Sequence, residues 1–216
     1  MGAEIRTIEG REVRFRDSTS DICVITFYAD FDEKSIDGLI DSLPDVKVAA
    51  LKIDDWNQEL SPWKADPVFS DQGFGEGAGD TLSFITDRII PGLGCKRYVI
   101  GGYSLAGLFS LWACYRSDKF AGCCAASPSV WFPGWDEFID KNEFQASKAY
   151  LSMGDREART RNQLMSKVAD RIVLQKERII ERIGPENTVL EWNKGGHFQD
   201  VTDRTRRAFL WVLDRL

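Results

Sequence analysis

The chain has 216 residues, of which 43% are hydrophobic, so it is long enough to bury the core of one ordinary domain. Its net charge of −6 and isoelectric point near 5.0 argue against nucleic-acid or anionic-membrane partners, which require a basic surface. The charged N-terminus is unlike a signal peptide and no apolar run approaches membrane-spanning length, so we expect a cytoplasmic protein with no membrane partner. We find no internal repeat and predict a single domain over residues 1–216.

Predicted strands and helices alternate along the chain. Nearly continuous apolar runs predict strands covered on both faces, and apolar stripes with helical spacing predict helices. In chain order, the predicted elements are a hairpin or bent edge strand at 5–15, a strand at 21–30, a helix at 35–43, a strand at 46–53, a long glycine-rich loop at 54–80, a helix at 81–90, a strand from 98, a helix at 105–115, strands at 120–126 and 149–153, a helix at 160–183, a strand at 188–192 and a last helix capped by Asp200. This alternation predicts an α/β fold with a mostly parallel, doubly wound sheet.

The segment YVIGGYSLAGLFSL, residues 98–111, joins a predicted strand to a helix through a sharp turn at Ser104. A hydroxyl at such a turn projects above the sheet, next to the unpaired N–H groups of a helix start, which is how a serine nucleophile is presented. The pattern is G-x-S-x-A-G, with Ala106 in place of the last glycine of the usual G-x-S-x-G and Gly107 after it. Taken alone, this pattern fits an ordinary strand-to-helix turn equally well.

Chain order predicts the partners of this serine. A serine hydroxyl requires a base, normally an imidazole, and a carboxylate that fixes the tautomer of that imidazole. The chain contains one histidine, His197, which follows two glycines between the last predicted strand and the last helix, so it is the base by elimination. Asp155 and Glu157 both follow the preceding strand, where the order serine, acid, histidine requires the acid. A carboxylate directly after the strand, like that of Asp155, commonly accepts hydrogen bonds from backbone N–H groups of the turn.

The same sheet edge should hold the oxyanion hole and the substrate pocket. We expect one oxyanion donor to be the N–H of Leu105 and the second to be that of Tyr28 or Ala29, at the end of the strand at 21–30. Four tryptophans in loops predicted at this edge are expected to line the pocket: Trp56, Trp63, Trp131 and Trp135.

These segments together resemble the group of α/β-hydrolases that includes esterase D and the enterobactin esterases. The resemblance rests on GGYSLAGL, on DDWNQELSPW followed by GFGEGAGD, on CAASPSVWFPGW, on LSMGDRE and on GGHF. It implies an α/β-hydrolase fold and a Ser-His-acid triad that acts on esters or thioesters with no cofactor or metal. No large lid domain fits between residues 126 and 149, and a siderophore substrate is not implied. In this family the acid commonly lies three residues after the glycine that ends its strand, which favours Glu157 over Asp155.

We therefore expect a serine esterase that acts on a small, soluble carboxylic ester. A thioesterase or an acyltransferase would use the same triad, because the pocket and not the triad selects the acceptor. A non-catalytic binding protein of the same fold is the alternative from another class, but it would have no use for a positioned serine–histidine pair. The sequence does not give the physiological substrate, the oligomeric state, or whether the loop at 54–80 covers the site.

Overall fold

The computed structural model describes residues 3–68 and 71–216 of the protein. Its strands are β1 (Glu4–Ile8), β2 (Arg11–Arg16), β3 (Ile22–Tyr28), β4 (Lys47–Lys52), β5 (Arg97–Tyr103), β6 (Phe120–Ala126), β7 (Lys148–Gly154) and β8 (Thr188–Asn193). They form one sheet in the order β1-β2-β4-β3-β5-β6-β7-β8. β1 and β2 form an antiparallel hairpin at one edge, and every pair from β4 through β8 is parallel. The predicted mostly parallel sheet is thus confirmed.

Helices cover both faces of this sheet. They are α1 (Glu33–Ser42), α2 (Trp56–Glu59), α3 (Ala78–Phe84), α4 (Ile90–Leu93), α5 (Leu105–Arg116), α6 (Trp135–Lys141), α7 (Val168–Ile183) and α8 (Val201–Leu213), with one π-helical turn at Ile85–Ile89 between α3 and α4. One core cluster joins α1 and α8 to the sheet, and a larger one joins α3, α5, α6 and α7 to the opposite face.

Because helices cover both faces of the sheet, the central strands are continuous apolar runs. In β3, Cys23 and Ile25 point into the larger cluster, whereas Val24 and Tyr28 point toward α1 and α8. All four side chains are buried. Because successive residues of a strand point to opposite faces, both sets must be apolar when both faces are covered.

Parallel strands deliver the segments that follow them to one edge of the sheet, where ligand sites of open α/β sheets lie. Ser104 follows β5, Glu157 follows β7, and His197 follows β8. Residues separated by as many as 93 positions in the chain therefore meet at this edge.

Three of the differences between the structure and the predicted elements have a bearing on the segments around the site. The predicted helix at 160–183 begins only at Val168, because the side-chain oxygen of Asn162 accepts from the N–H groups of Leu164 and Met165 and holds this segment in a turn. The predicted loop at 54–80 contains the short helix α2, capped by Asp55, whose side chain accepts from the Gln58 N–H. The third difference is α6, which begins at the end of the predicted loop and continues through residues for which no element was predicted.

The segment between β6 and β7 holds only the seven-residue helix α6, so no large lid domain is inserted there. Residues 69 and 70 of the predicted loop lie outside the described residues. None of the helices among the described residues is long and apolar enough to cross a membrane.

Candidate active site

Ser104 occupies a strained turn between β5 and α5. Its backbone has φ of 58° and ψ of −118°, a conformation that residues with a side chain rarely adopt. Small neighbours make the turn possible: a Cβ on Gly102 would lie 2.6 Å from the Cβ of Ala106, and a Cβ on Gly107 would lie 3.1 Å from the Gly102 carbonyl oxygen. The turn leaves the Ser104 side chain half-buried at the wall of a cavity.

A chain of hydrogen bonds runs from Ser104 through His197 to Glu157. The Ser104 Oγ lies 3.0 Å from His197 Nε2, and His197 Nδ1 lies 2.7 Å from Glu157 Oε2. The carboxylate is almost completely buried, with 4% of its side chain exposed, whereas 21% of the imidazole is exposed. With Nδ1 donating to the carboxylate, Nε2 of the neutral ring is left to accept the hydroxyl proton.

The structure brings Glu157, and not Asp155, against the imidazole. The turn after β7 folds the Glu157 N–H back onto the Gly154 carbonyl oxygen at 3.1 Å, which directs its side chain inward. Asp155 points along the turn instead, and its Oδ1 accepts from the Gly195 N–H at 2.8 Å. The alternative assignment of Asp155 as the acid is therefore wrong for this arrangement, because its carboxylate is used by the backbone of the histidine loop.

The serine and the histidine line a cavity of about 430 Å³ at the carboxyl edge of the sheet. Its inner wall is apolar and comes from α1, through Ile36 and Leu39. Its rim carries the rings of Phe31 and Phe198, which are 78% and 89% exposed. The Phe31 ring packs edge-on against that of Trp56, which also lines the cavity. The Ser104 hydroxyl thus faces an apolar pocket with an aromatic entrance.

Comparison with known proteins finds no matching family model and no matching curated protein. Solved structures do match. An IroE-like serine hydrolase from Shewanella oneidensis has a TM-score of 0.73 and 16% identity, with 95% of this chain and 79% of that chain covered. For the siderophore hydrolase EstA from Aspergillus nidulans the TM-score is 0.73 and the identity 16%, over 99% and 94% of the two chains. For the enterobactin esterase FES from Shigella flexneri the TM-score is 0.73 and the identity 14%, with 100% of this chain and 60% of that chain covered.

The chain has the α/β-hydrolase fold. At identities this low, the structural matches establish the shared architecture and no more. At the level of the fold, they confirm the resemblance noted from the sequence motifs. In this fold, Ser104 lies directly after the strand β5, and His197 lies on the loop between β8 and the last helix.

One of the two predicted oxyanion donors fits the geometry of the fold. Leu105 is the first residue of α5, so its N–H has no acceptor within the helix. The predictions of Tyr28 and Ala29 do not fit. The Tyr28 carbonyl oxygen accepts from the Ile53 N–H at 2.8 Å, so this residue turns its backbone groups toward β4 and away from β5, which carries the serine. The Ala29 N–H donates to Asp32 Oδ1 at 2.7 Å and is thereby engaged.

Only one of the four predicted pocket tryptophans, Trp56, lines the cavity. The other three belong to a packed aromatic cluster in the larger core, formed with neighbouring phenylalanines. Trp63 stacks on Trp135 at 6.4 Å and donates its indole N–H to the Pro133 carbonyl oxygen at 2.8 Å. Trp131 and Trp135 are 5% and 1% exposed. The prediction for these three residues is wrong, because their side chains pack into or against the core and do not line the cavity.

Sequence reasoning missed the residues that surround Glu157. Its Oε1 accepts from Ser127 Oγ at 2.9 Å, from the Gly154 N–H at 2.7 Å and from Arg204 Nη1 at 3.2 Å. Arg204 is fully buried. Burial opposes the charge of Glu157, but the hydrogen bonds from His197, Gly154 and Ser127 outweigh it, so its pKa lies below the ordinary value of 4.5. The carboxylate therefore stays ionised beside the imidazole at neutral pH.

A signal for Arg204 was present in the sequence. It lies four residues before Ala208, on the same helical stripe as Val212, and both of these side chains are buried. An arginine at a core position of an amphipathic helix requires a buried partner, and here that partner is the Glu157 carboxylate.

Proposed function

We propose that this protein is a serine esterase that hydrolyses a small carboxylic ester through an acyl-enzyme. The observation that supports the proposal most directly is the continuous hydrogen-bond chain Ser104–His197–Glu157, which ends at an apolar cavity. The fold comparison adds support, because structures of the same architecture include proteins named as serine hydrolases and esterases.

In the first half-reaction, Ser104 Oγ attacks the ester carbonyl carbon as its proton passes to His197 Nε2. Glu157 holds the ring so that Nε2 faces the serine, and its negative charge stabilises the imidazolium that forms. The imidazolium then gives the proton to the departing alkoxide oxygen, the C–O bond breaks, and the acyl group stays on Ser104.

In the second half-reaction, His197 removes a proton from a water molecule, whose oxygen attacks the acyl carbon. Collapse of the tetrahedral intermediate returns the proton to Ser104 Oγ and releases the carboxylic acid. In both halves the Leu105 N–H, at the start of α5, donates to the negative oxygen, aided by the positive end of the helix.

The cavity limits the substrate class. Its volume of about 430 Å³ and its apolar wall suit a small organic ester with an apolar group. Two of the structural matches are named a siderophore hydrolase and an enterobactin esterase, so a siderophore ester belongs in the substrate panel. A thioester belongs there too, because the same triad would cleave it.

The test is hydrolysis of a nitrophenyl ester series by the purified protein and two matched variants. Ser104→Ala should lose activity by about 10⁴-fold or more, because the nucleophile is removed. Ser83→Ala, which makes the same change at an exposed position of α3, should keep it. Equal activity of the two variants would overturn the proposal.

A further inference from the structure

One carboxylate lines the proposed active-site cavity without serving the triad. It belongs to Asp32, which precedes α1. No lysine or arginine is found among the described residues that form the cavity wall, and Asp32 is the only acidic residue there. Apart from the catalytic groups, the charge that a substrate meets in the cavity is therefore negative.

The Asp32 carboxylate lacks a cationic partner within residues 3–68 and 71–216. Its Oδ1 accepts from the Ala29 N–H at 2.7 Å. The arginine whose charge acts on it, Arg14, is already paired with Asp37 at 2.6 Å and with Glu33 at 3.1 Å. A positive group inside the cavity would thus meet a carboxylate that forms no ion pair with the described residues.

Several groups influence the ionisation of this carboxylate. Burial raises the pKa of Asp32, and the neighbouring charge of Glu33 acts in the same direction. The hydrogen bond from Ala29 and the charge of Arg14 act in the opposite direction. The N-terminus of α1, which follows directly, also favours the anion. The assays are run at about pH 8, far above the ordinary pKa of an aspartate side chain.

We propose that Asp32 is a specificity-determining residue that selects esters carrying a cationic group over neutral ones of the same shape. The proposal rests on the proposed esterase function and names the substrate class of that same site. The cation would lie in the cavity near Asp32, while the apolar wall formed by Ile36 and Leu39 contacts the chain that carries it.

The experiment compares isosteric esters in which trimethylammonium replaces tert-butyl. One pair carries the group on the acyl side, as nitrophenyl esters of trimethylammoniobutyric acid and its tert-butyl isostere. The other carries it on the alcohol side, as butyrylcholine and dimethylbutyl butyrate. The measured quantity is the ratio of kcat/KM for the cationic ester to that for the neutral ester in each pair.

We expect Asp32→Asn to lower this ratio by about tenfold in one of the two pairs, because the asparagine still accepts the Ala29 hydrogen bond but carries no charge. Asp32→Glu, which keeps the charge, should retain the preference. The matched control is Asp30→Asn, which removes the same charge two residues away, at an exposed position where Asp30 pairs with Lys52 at 2.6 Å. It should leave the ratio unchanged.

Three outcomes are decisive. A ratio that falls in Asp32→Asn and not in Asp30→Asn supports the proposal. A ratio unchanged in Asp32→Asn, or lowered equally by Asp30→Asn, overturns it while the esterase function stands. Should the unmodified protein hydrolyse neither member of either pair, the esterase function and the specificity proposal both fail for these esters.

Discussion

Replacing Glu157 with glutamine should lower kcat by about 10³- to 10⁴-fold with little change in KM. The carboxylate contacts the imidazole at 2.7 Å and only 4% of its side chain is exposed, so water does not substitute for it. Two unit charges with about 4 Å between their centres interact by about 4 kcal/mol at an effective dielectric constant of about 20, which corresponds to about 10³-fold in rate. A glutamine that also favours the wrong tautomer raises the loss toward 10⁴-fold.

The assay is steady-state hydrolysis of a nitrophenyl ester, with circular dichroism to confirm that each variant is folded. Asp155→Asn is the matched control: its side-chain oxygen still accepts from the Gly195 N–H, so kcat should stay within about tenfold of the unmodified value. If Asp155→Asn loses turnover and Glu157→Gln keeps it, the assigned geometry does not describe the working enzyme.

Three further predictions concern the pocket, the strand β5 and pH. Trp56→Ala should raise KM about tenfold because it removes a wall of the cavity, whereas Trp63→Phe should lower the melting temperature and leave KM unchanged; the reverse pattern in kinetics and melting would contradict the tryptophan assignments. Gly101→Ala should lower the free energy of unfolding in urea by about 1–3 kcal/mol, since its Cβ would lie 2.7 Å from the Cys124 carbonyl oxygen, and an unchanged midpoint would refute this contact. The pKa of Glu157 is lower in the folded state than its ordinary value of 4.5, so the ionised carboxylate stabilises the fold fully above pH 4.5, and this stabilisation is lost as pH falls through the folded-state pKa. The difference in the free energy of unfolding between the unmodified protein and Glu157→Gln should therefore shrink below about pH 4.5. A difference that grows there would argue against a lowered pKa.

The fold could be predicted because its signals are local. The central strands are apolar runs because both of their faces are buried, and α1 has an apolar stripe because one of its faces is buried. Each pattern is visible within about ten residues of sequence. The start of α7 was predicted too early because the Asn162 side chain accepts hydrogen bonds from backbone N–H groups that a helix would otherwise use. The periodicity of apolar residues gives no sign of such a hydrogen bond.

The site was predictable only where chain order constrains it. Ser104 and His197 occupy loops that a parallel sheet brings to one edge, and the order of the elements is enough to pair them. The tryptophans were misassigned because packing, and not chain order, decides the direction in which a large ring points. Trp135, for example, points into the core and donates its indole N–H to Gln175 Oε1 at 2.9 Å. Arg204 contacts Glu157, which lies 47 positions earlier in the sequence, and no local sequence pattern indicates which residue a buried arginine will pair with.

The central claim, that Ser104 is a nucleophile activated by His197, is tested most directly by covalent labelling. The protein is treated with a fluorophosphonate probe and the modified residue is located by peptide mass spectrometry, with Ser104→Ala in parallel. The nearest competing hydroxyl is that of Ser129, whose Oγ lies 3.3 Å from Ser104 Oγ. We predict one adduct per chain, on Ser104, and none in Ser104→Ala. An adduct on Ser129, or labelling that persists in Ser104→Ala, would contradict the account.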